Sequence, residues 1–264
     1  MRSTPSRQAA RTPTQAALEE IADAIEYERV EVAVAPIVGL PDQRLMHHDM
    51  TMRLLTASGG VLVPQGISSV ARGTGLVPLL DALKVGRAVR VAQSLESANV
   101  AGAVFCRVTG EGLMAKRVVR ALAGEPGHVP PAATRVVLMF VQQEIRSFGH
   151  AHWSALADLA DQGFRFCVSD LVDLDLDIQT LRNVGFMFAR SEAGVVLSGL
   201  ALRGTVIPPK EINRYLGSAG FSLIADQVEG EPVLAALRGC QVTLGQGDLL
   251  GRPQTLDLGG QAAA

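Results

Sequence analysis

The feature that most constrains this chain is an alternation of short apolar runs with helical segments, sustained from near residue 76 almost to its end. Candidate strands fall at 103–108, 135–141, 164–168, 185–188, 221–225 and 241–244, and helical patterns at 76–94, 111–123, 153–161, 209–216 and 231–238. Such alternation argues for a parallel sheet covered by helices. So many repeats in 264 residues favour a closed barrel over an open sheet, because barrels of about 250 residues commonly form one domain. Upstream, residues 30–38 alternate like a strand, Leu40-Pro41-Asp42-Gln43 turns the chain, and 44–54 reads as the returning partner. A helix from Pro13 through Ala24 precedes them, with Leu18, Ile21, Ala22 and Ile25 at helical spacing. The expected fold is α/β, a modified TIM barrel with an antiparallel opening hairpin and no internal sequence repeat.

The expected organisation is a disordered leader at 1–14, rich in Ser, Thr, Pro and Arg, one barrel domain over 15–258, and a flexible tail at 259–264. A net charge of -2 gives no electrostatic case for nucleic acid or an anionic membrane, and no apolar run is long enough to span one. Cys106, Cys167 and Cys240 form no C-x-x-C pair and lie in apolar runs, so they read as buried reduced thiols. A reducing, cytoplasmic setting follows.

Barrel chemistry sits at the C-terminal ends of the strands. Those ends carry Asp49 with Arg53, Arg107, Met139 with Gln142, Ser169 with Asp170, Arg190 with Glu192, Asp226 with Glu229, and Gln246. Acids and permanent cations are mixed at one rim, which is unusual for a metal enzyme. His47-His48-Asp49 is no convincing metal triplet, because adjacent residues of a strand point to opposite faces. Asp173, Asp175 and Asp177 resemble the start of a calcium loop, but Ile178 and Val184 fill the places of its glycine and closing glutamate. A solvated acidic loop is the expectation there, and Trp153 and the phenylalanines are expected in the core.

The motifs that close the chain bring a family into view. A short apolar strand runs into Gly245-Gln246-Gly247, followed by Pro253, and upstream stands Ala225-Asp226-Gln227-Val228-Glu229. These resemble the terminal Gln-Gly with Pro, and the Ala-Glu-Gly-Val-Glu, of the EAL family, bacterial barrels that hydrolyse or bind cyclic di-GMP. Ala35-Pro36-Ile37-Val38 is similar to that family's Gln-Pro-Ile-Val. Val63-Pro64-Gln65-Gly66-Ile67 with Ala71-Arg72-Gly73-Thr74-Gly75-Leu76 resembles its Pro-x-x-Phe-Ile and Ala-Glu-x-x-Gly-Leu. Phe140-Val141-Gln142 and Gly163-Phe164-Arg165-Phe166 resemble the TipF-like flagellar regulators, a divergent branch.

The resemblance implies a pair of divalent cations, held by carboxylates and an asparagine, that polarise a phosphodiester and generate hydroxide. Matched position by position, the signature Glu becomes Asp49, the asparagine Arg107, the next Glu Met139, and the first of two aspartates Ser169. The lysine becomes Arg190 and a further Glu becomes Asp226, while Arg53, Asp170, Glu229 and Gln246 are retained. Arg107 is the decisive change, because its guanidinium about 4 Å from a dication would be repelled by roughly 8 kcal/mol at an effective dielectric near 20. Arginine is also no proton-transfer group near neutral pH. No metal cofactor is therefore expected, and no catalytic residue. Arg107 and Arg190 are expected to stand in for the cations, paired with Asp49, Asp170 and Asp226.

The expected role is an inactive EAL-like adaptor or scaffold in signalling or motility, acting on a protein partner, with self-association into a homodimer left open. If cyclic di-GMP still binds, Arg53, Arg107, Asp170, Arg190 and Gln246 would contact it. A receptor without hydrolysis, or a divergent phosphodiesterase with one metal on Asp49, Asp170, Asp226 and Glu229, are the alternatives.

Overall fold

The computed structural model describes residues 13–62, 71, 73–123 and 131–256. The leader before Pro13, the tail at 259–264, and segment 63–67 with Arg72 lie outside the described residues.

Strands β1 (Val30–Gly39) and β2 (Leu45–Leu54) form the expected opening hairpin. β3 (Val104–Arg107), β4 (Val136–Val141), β5 (Arg165–Ser169) and β6 (Phe186–Glu192) follow in parallel, each beside the last. Strands β7 (Leu200–Leu202) and β8 (Thr205–Ile207) make a small separate hairpin. β9 (Ser222–Asp226) then pairs with β6, and β10 (Leu244–Gly245) with β9, again in parallel. β10 closes the ring by pairing antiparallel with Val38 and Gly39 of β1, giving an eight-stranded barrel in which only β1 runs against its neighbours. β11 (Gln254–Leu256) lies outside the ring against Val32–Val34, an addition that the sequence pattern did not announce.

Strand periodicity separates two cores. Cys106, Leu138, Phe140, Phe166, Val168, Ala189 and Leu223 face the surrounding helices. Ile37, Phe105, Val137, Met139, Cys167, Ile224 and Leu244 fill the barrel itself, with Ala103 and Phe188 packed on them. The helices Leu76–Ser97, Lys116–Ala123, His150–Asp161, Pro209–Ser218 and Glu231–Gly239 coincide with the expected segments, the second split from Gly110–Leu113. Among the described residues, no helix is long and apolar enough to cross a membrane. The three cysteines are buried and free, and burial pushes the Cys106 thiol up to about 12.

At the barrel floor, His47 presents its ring edge-on to Phe105 and Phe188, and its Nδ1 accepts the Ala103 N–H at 3.2 Å. His48 points the other way and its Nε2 bonds the Ala101 carbonyl at 3.3 Å, so both rings serve the backbone. Burial, then the neighbouring His48, lowers the pKa of His47 below its ordinary 6.5. The unfolded chain therefore takes up the proton first. Stability from this group is complete above about pH 6.5 and is lost as pH falls through the lower folded value. The urea midpoint should drop between about pH 7.5 and pH 5, and His47→Gln, which keeps an acceptor for Ala103, should make that drop smaller. An unchanged pH profile in the variant would show that His47 is not the group responsible.

Candidate functional site

The mouth of the barrel is generated by the same two-residue period that builds its core. One step along each strand from a core side chain toward the C-terminal end brings a polar one. Phe105 gives way to Arg107, Cys167 to Ser169, Phe188 to Arg190, Ile224 to Asp226 and Leu244 to Gln246. Asp49, on β2, joins this polar layer through its contacts with Arg190 and Gln246.

Arg190 is the centre of this layer. Its side chain is only 11% exposed, and it reaches Asp49 on one side and Asp226 on the other. Nε and Nη2 both donate to Asp226 Oδ2, at 3.0 and 2.8 Å. Nη1 lies 3.0 Å from Asp49 Oδ1 but out of line for a hydrogen bond, so that contact is electrostatic. The same Nη1 stands 3.7 Å from the Met139 sulfur. Burial alone would lower the pKa of Arg190, but Asp49 and Asp226 outweigh it and hold the guanidinium above its usual range. Gln246 completes the group by donating from Nε2 to Asp49 Oδ2 at 2.9 Å.

Arg107 behaves differently. It grips Asp170 with two parallel hydrogen bonds of 3.1 and 2.8 Å, yet both side chains are about half exposed, at 46% and 50%. The cation at the core of the mouth is thus Arg190, whereas the charge argument from sequence put most weight on Arg107. Asp170 adopts a left-handed backbone, φ 52, directly after β5. That turn is fastened to β6, since Leu171 N–H donates to the Arg190 carbonyl at 3.0 Å and Ser191 Oγ donates to the Leu171 carbonyl at 2.6 Å.

Not every expected residue joins the cluster. Arg53 lies farther along β2, half exposed, opposite Glu31 at 3.6 Å. Glu229 is exposed beyond β9. The three aspartates lie, as expected, on a loop largely open to water, with Asp175 and Asp177 exposed and Asp173 partly buried, and each also has a partner in the chain. Asp173 accepts from Gln142 Nε2 at 3.0 Å and from Arg146, Asp175 accepts the Arg203 N–H at 2.6 Å, and Asp177 caps helix Ile178–Asn183 through Thr180. Each has a structural employment that periodicity could not reveal.

Two supporting residues carried no signal in the sequence. Asp81, 1% exposed on helix Leu76–Ser97, accepts from Thr109 N–H at 2.9 Å, Thr109 Oγ1 at 2.7 Å and Lys84 Nζ at 2.9 Å. Lys84 Nζ in turn donates to the Arg107 carbonyl at 3.0 Å, so this pair sets the end of β3. Gly112 is required beside it, because a Cβ there would meet Asp81 Oδ2 at 2.2 Å.

The donor set does not fit a pair of divalent cations. Hard cations need several oxygen ligands. Here Met139 offers sulfur, Ser169 a neutral hydroxyl, and the guanidinium of Arg190 lies between Asp49 and Asp226. Among the described residues, no three His, Cys, Asp or Glu side chains are grouped as metal ligands. What the arrangement can do is hold fixed charge. One cavity of about 450 Å³ adjoins the mouth at Arg107, lined by Val77, Thr109, Ser147 and Phe148, and another of about 730 Å³ lies away from the mouth, near Leu176, Leu202, Arg203 and Tyr215.

The contrast between the two arginines predicts a measurable difference. Arg190→Met leaves Asp49 and Asp226 without their cation and should cost about 3–5 kcal/mol in urea denaturation. Arg107→Met removes a half-exposed pair and should cost less than about 1 kcal/mol. Similar losses from both would contradict the central place given to Arg190.

The chain matches the EAL domain family over residues 18–253. No curated protein matches it. Among solved structures, the FimX EAL domain of Xanthomonas citri in complex with c-diGMP is similar, with 18% identity and a TM-score of 0.74 over 94% of this chain and 96% of that one. The PaMucR phosphodiesterase in its c-di-GMP complex aligns at 17% identity with a TM-score of 0.73, over 90% of this chain and 97% of that one. The FimX EAL domain from Pseudomonas aeruginosa bound to c-di-GMP aligns at 17% identity with a TM-score of 0.69, over 92% and 96%. At such identities the likeness to solved structures is one of fold, and the family match extends from the first helix to Pro253. The chain belongs to the EAL domain family.

Proposed function

We propose that this chain is a non-hydrolysing EAL barrel that works by interaction, as an adaptor or scaffold in bacterial signalling or motility, with cyclic di-GMP binding lost or weakened. The reading is carried by one observation, the buried Arg190 guanidinium paired with Asp49 and Asp226. Two-metal phosphodiester hydrolysis relies on acids that are free to take cations and on a hydroxide generated between them. In this mouth two of the acids already have a permanent cation, and Met139 and Ser169 add no anionic oxygen. Internal pairing also suits an adaptor better than a receptor, because a receptor benefits from cations that face outward. Placement in the TipF-like branch, and hence a link to flagellar regulation, rests on the Phe140-Val141-Gln142 and Gly163-Phe164-Arg165-Phe166 resemblance.

A second reading, a cyclic di-GMP receptor without hydrolysis, is favoured by Arg107. Its guanidinium is half exposed beside a cavity of about 450 Å³, and a phosphate could exchange with Asp170 in the same bidentate geometry. The buried Ser169 Oγ and Gln246 Oε1, which have no hydrogen-bond partner among the described residues, would be available to that ligand.

Calorimetric titration with cyclic di-GMP in buffer containing Mn²⁺ separates these readings. The adaptor predicts a flat trace at high micromolar ligand. Saturable heat near one ligand per barrel, abolished by Arg107→Ala, would replace it with the receptor. Growing heat accompanied by linear dinucleotide product would overturn both.

A further inference from the structure

Charge is spread very unevenly over this weakly acidic chain. Residues 84–120 hold seven lysines and arginines against two acids, Glu96 and Glu111. Residues 19–31 hold six acids against Arg29 alone. The two stretches meet at one point, where Arg87 reaches Glu28. Three cations of the basic stretch are occupied within the molecule, Lys84 by Asp81, Arg87 by Glu28 and Arg107 by Asp170. The other four, Arg90, Lys116, Arg117 and Arg120, are exposed and have no acid partner among the described residues.

Three of these four stand on one short helix, Lys116–Ala123. Its Val118 and Leu122 are buried against the core, which turns Lys116, Arg117 and Arg120 outward within about 6 Å of helix axis. The acidic stretch has a corresponding helix, Pro13–Glu26, whose Ile21 and Ala24 are buried while Glu20, Asp23 and Glu26 are exposed over about 9 Å. Asp23 has a loose contact with Arg29 at 3.7 Å, and Glu20 and Glu26 have no cation partner among the described residues. Both helices pack against helix Leu76–Ser97, yet among the described residues no ion pair joins them to each other within one molecule.

We propose that the face of helix Lys116–Ala123 is a docking surface for a second copy of this chain, whose helix Pro13–Glu26 lays its acidic face against it. The two patches are different surfaces of the same molecule, so the contact is head-to-tail. It leaves an unused acidic face at one end and an unused basic face at the other, and each further copy can add in the same way. This would give the adaptor a means of arranging several barrels in a row or ring. It does not depend on the state of the barrel mouth.

A copy of the chain fits this face better than a membrane does. The helix spends its apolar side on the core, and among the described residues Met114 is the one large apolar side chain exposed beside it. Three cations at about 1 kcal/mol each give only marginal attachment to an anionic bilayer. An acidic helix of similar span offers paired charges at closer range. The contact should weaken steeply with salt, because the screening length falls from about 10 Å at 0.1 M to about 3 Å at 1 M.

The test is the weight-average mass of the full 264-residue chain by sedimentation equilibrium, with circular dichroism to confirm that each variant is folded. At low salt the mass should rise with concentration past that of a dimer, and at about 1 M salt it should return to the monomer. Lys116→Glu with Arg117→Glu and Arg120→Glu should hold the chain monomeric, and so should Glu20→Lys with Asp23→Lys and Glu26→Lys. An equimolar mixture of one such variant with wild-type chain should terminate growth. Should a triple charge reversal fail to fold, the milder Arg117→Gln with Arg120→Gln should still lower the association constant at least tenfold. A wild-type chain that is monomeric at all concentrations overturns the proposal, and so does a dimer indifferent to both variants. A monomer that instead binds vesicles containing phosphatidylserine through Lys116, Arg117 and Arg120 would assign the face to a membrane and overturn the copy-to-copy contact.

Discussion

The barrel mouth depends on one guanidinium. Arg190, near the end of β6, is the only cation among the described residues placed between Asp49 of β2 and Asp226 of β9, and all three are largely withdrawn from water. Two carboxylates converging in a barrel need positive charge between them, and the choice of cation decides what the site can do. A metal ion offers open coordination positions and can be removed. An arginine is covalently part of the chain, keeps its charge at any accessible pH, and ends in a planar fork of donors. With Arg190 in place the layer holds its charge, and on the reading proposed above it does not activate a water molecule in the manner of a metal. The net stabilisation from such a buried pair is small compared with the damage of breaking it, so the effect of Arg190 is chiefly to fix positions. It ties the antiparallel opening hairpin to the parallel half of the barrel.

The other departures in this layer agree with that arrangement. Met139 places a soft, neutral sulfur against Arg190, where a third carboxylate would have left the layer with excess negative charge. Ser169, replacing one aspartate by the resemblance, removes another acid and is fully buried. The second arginine, Arg107, neutralises the aspartate that remains after β5, in a position where solvent already screens it. Counted across the layer, Arg190 and Arg107 balance two of Asp49, Asp170 and Asp226. The remaining negative charge is shared with the amide of Gln246, which donates to Asp49.

Much of this could be read from the sequence, for a definite reason. Strand ends in a parallel barrel converge on one face, so placing the strands also placed Asp49, Arg107, Ser169, Asp170, Arg190, Asp226 and Gln246 together. Side-chain reach was not available in the same way. Arg107 and Arg190 look equivalent in a pattern, and only the curvature of the wall shows that the first ends at the rim and the second inside. Arg53 illustrates the converse, since β2 extends beyond β3 and carries it out of the layer. The β7–β8 hairpin, the pairing of β11 with β1 and the Asp81–Lys84 brace all rest on contacts distant in sequence between ordinary residues. No local period records such contacts. The acidic run Asp173, Asp175 and Asp177 was legible as a largely exposed loop, whereas the neighbouring backbone and side chains that its charges engage one by one were not.

The central claim is that a fixed guanidinium has taken the place of the cations, and Mn²⁺ binding followed by electron paramagnetic resonance tests it most directly. The chain should be compared with a variant carrying Arg107→Asn, Met139→Glu, Ser169→Asp and Arg190→Lys, which restores the oxygen ligands and the lysine implied by the family resemblance. The account predicts that the free Mn²⁺ signal is undiminished by the natural chain and is quenched stoichiometrically by the folded variant. Stoichiometric, tight binding of Mn²⁺ by the natural chain would contradict it.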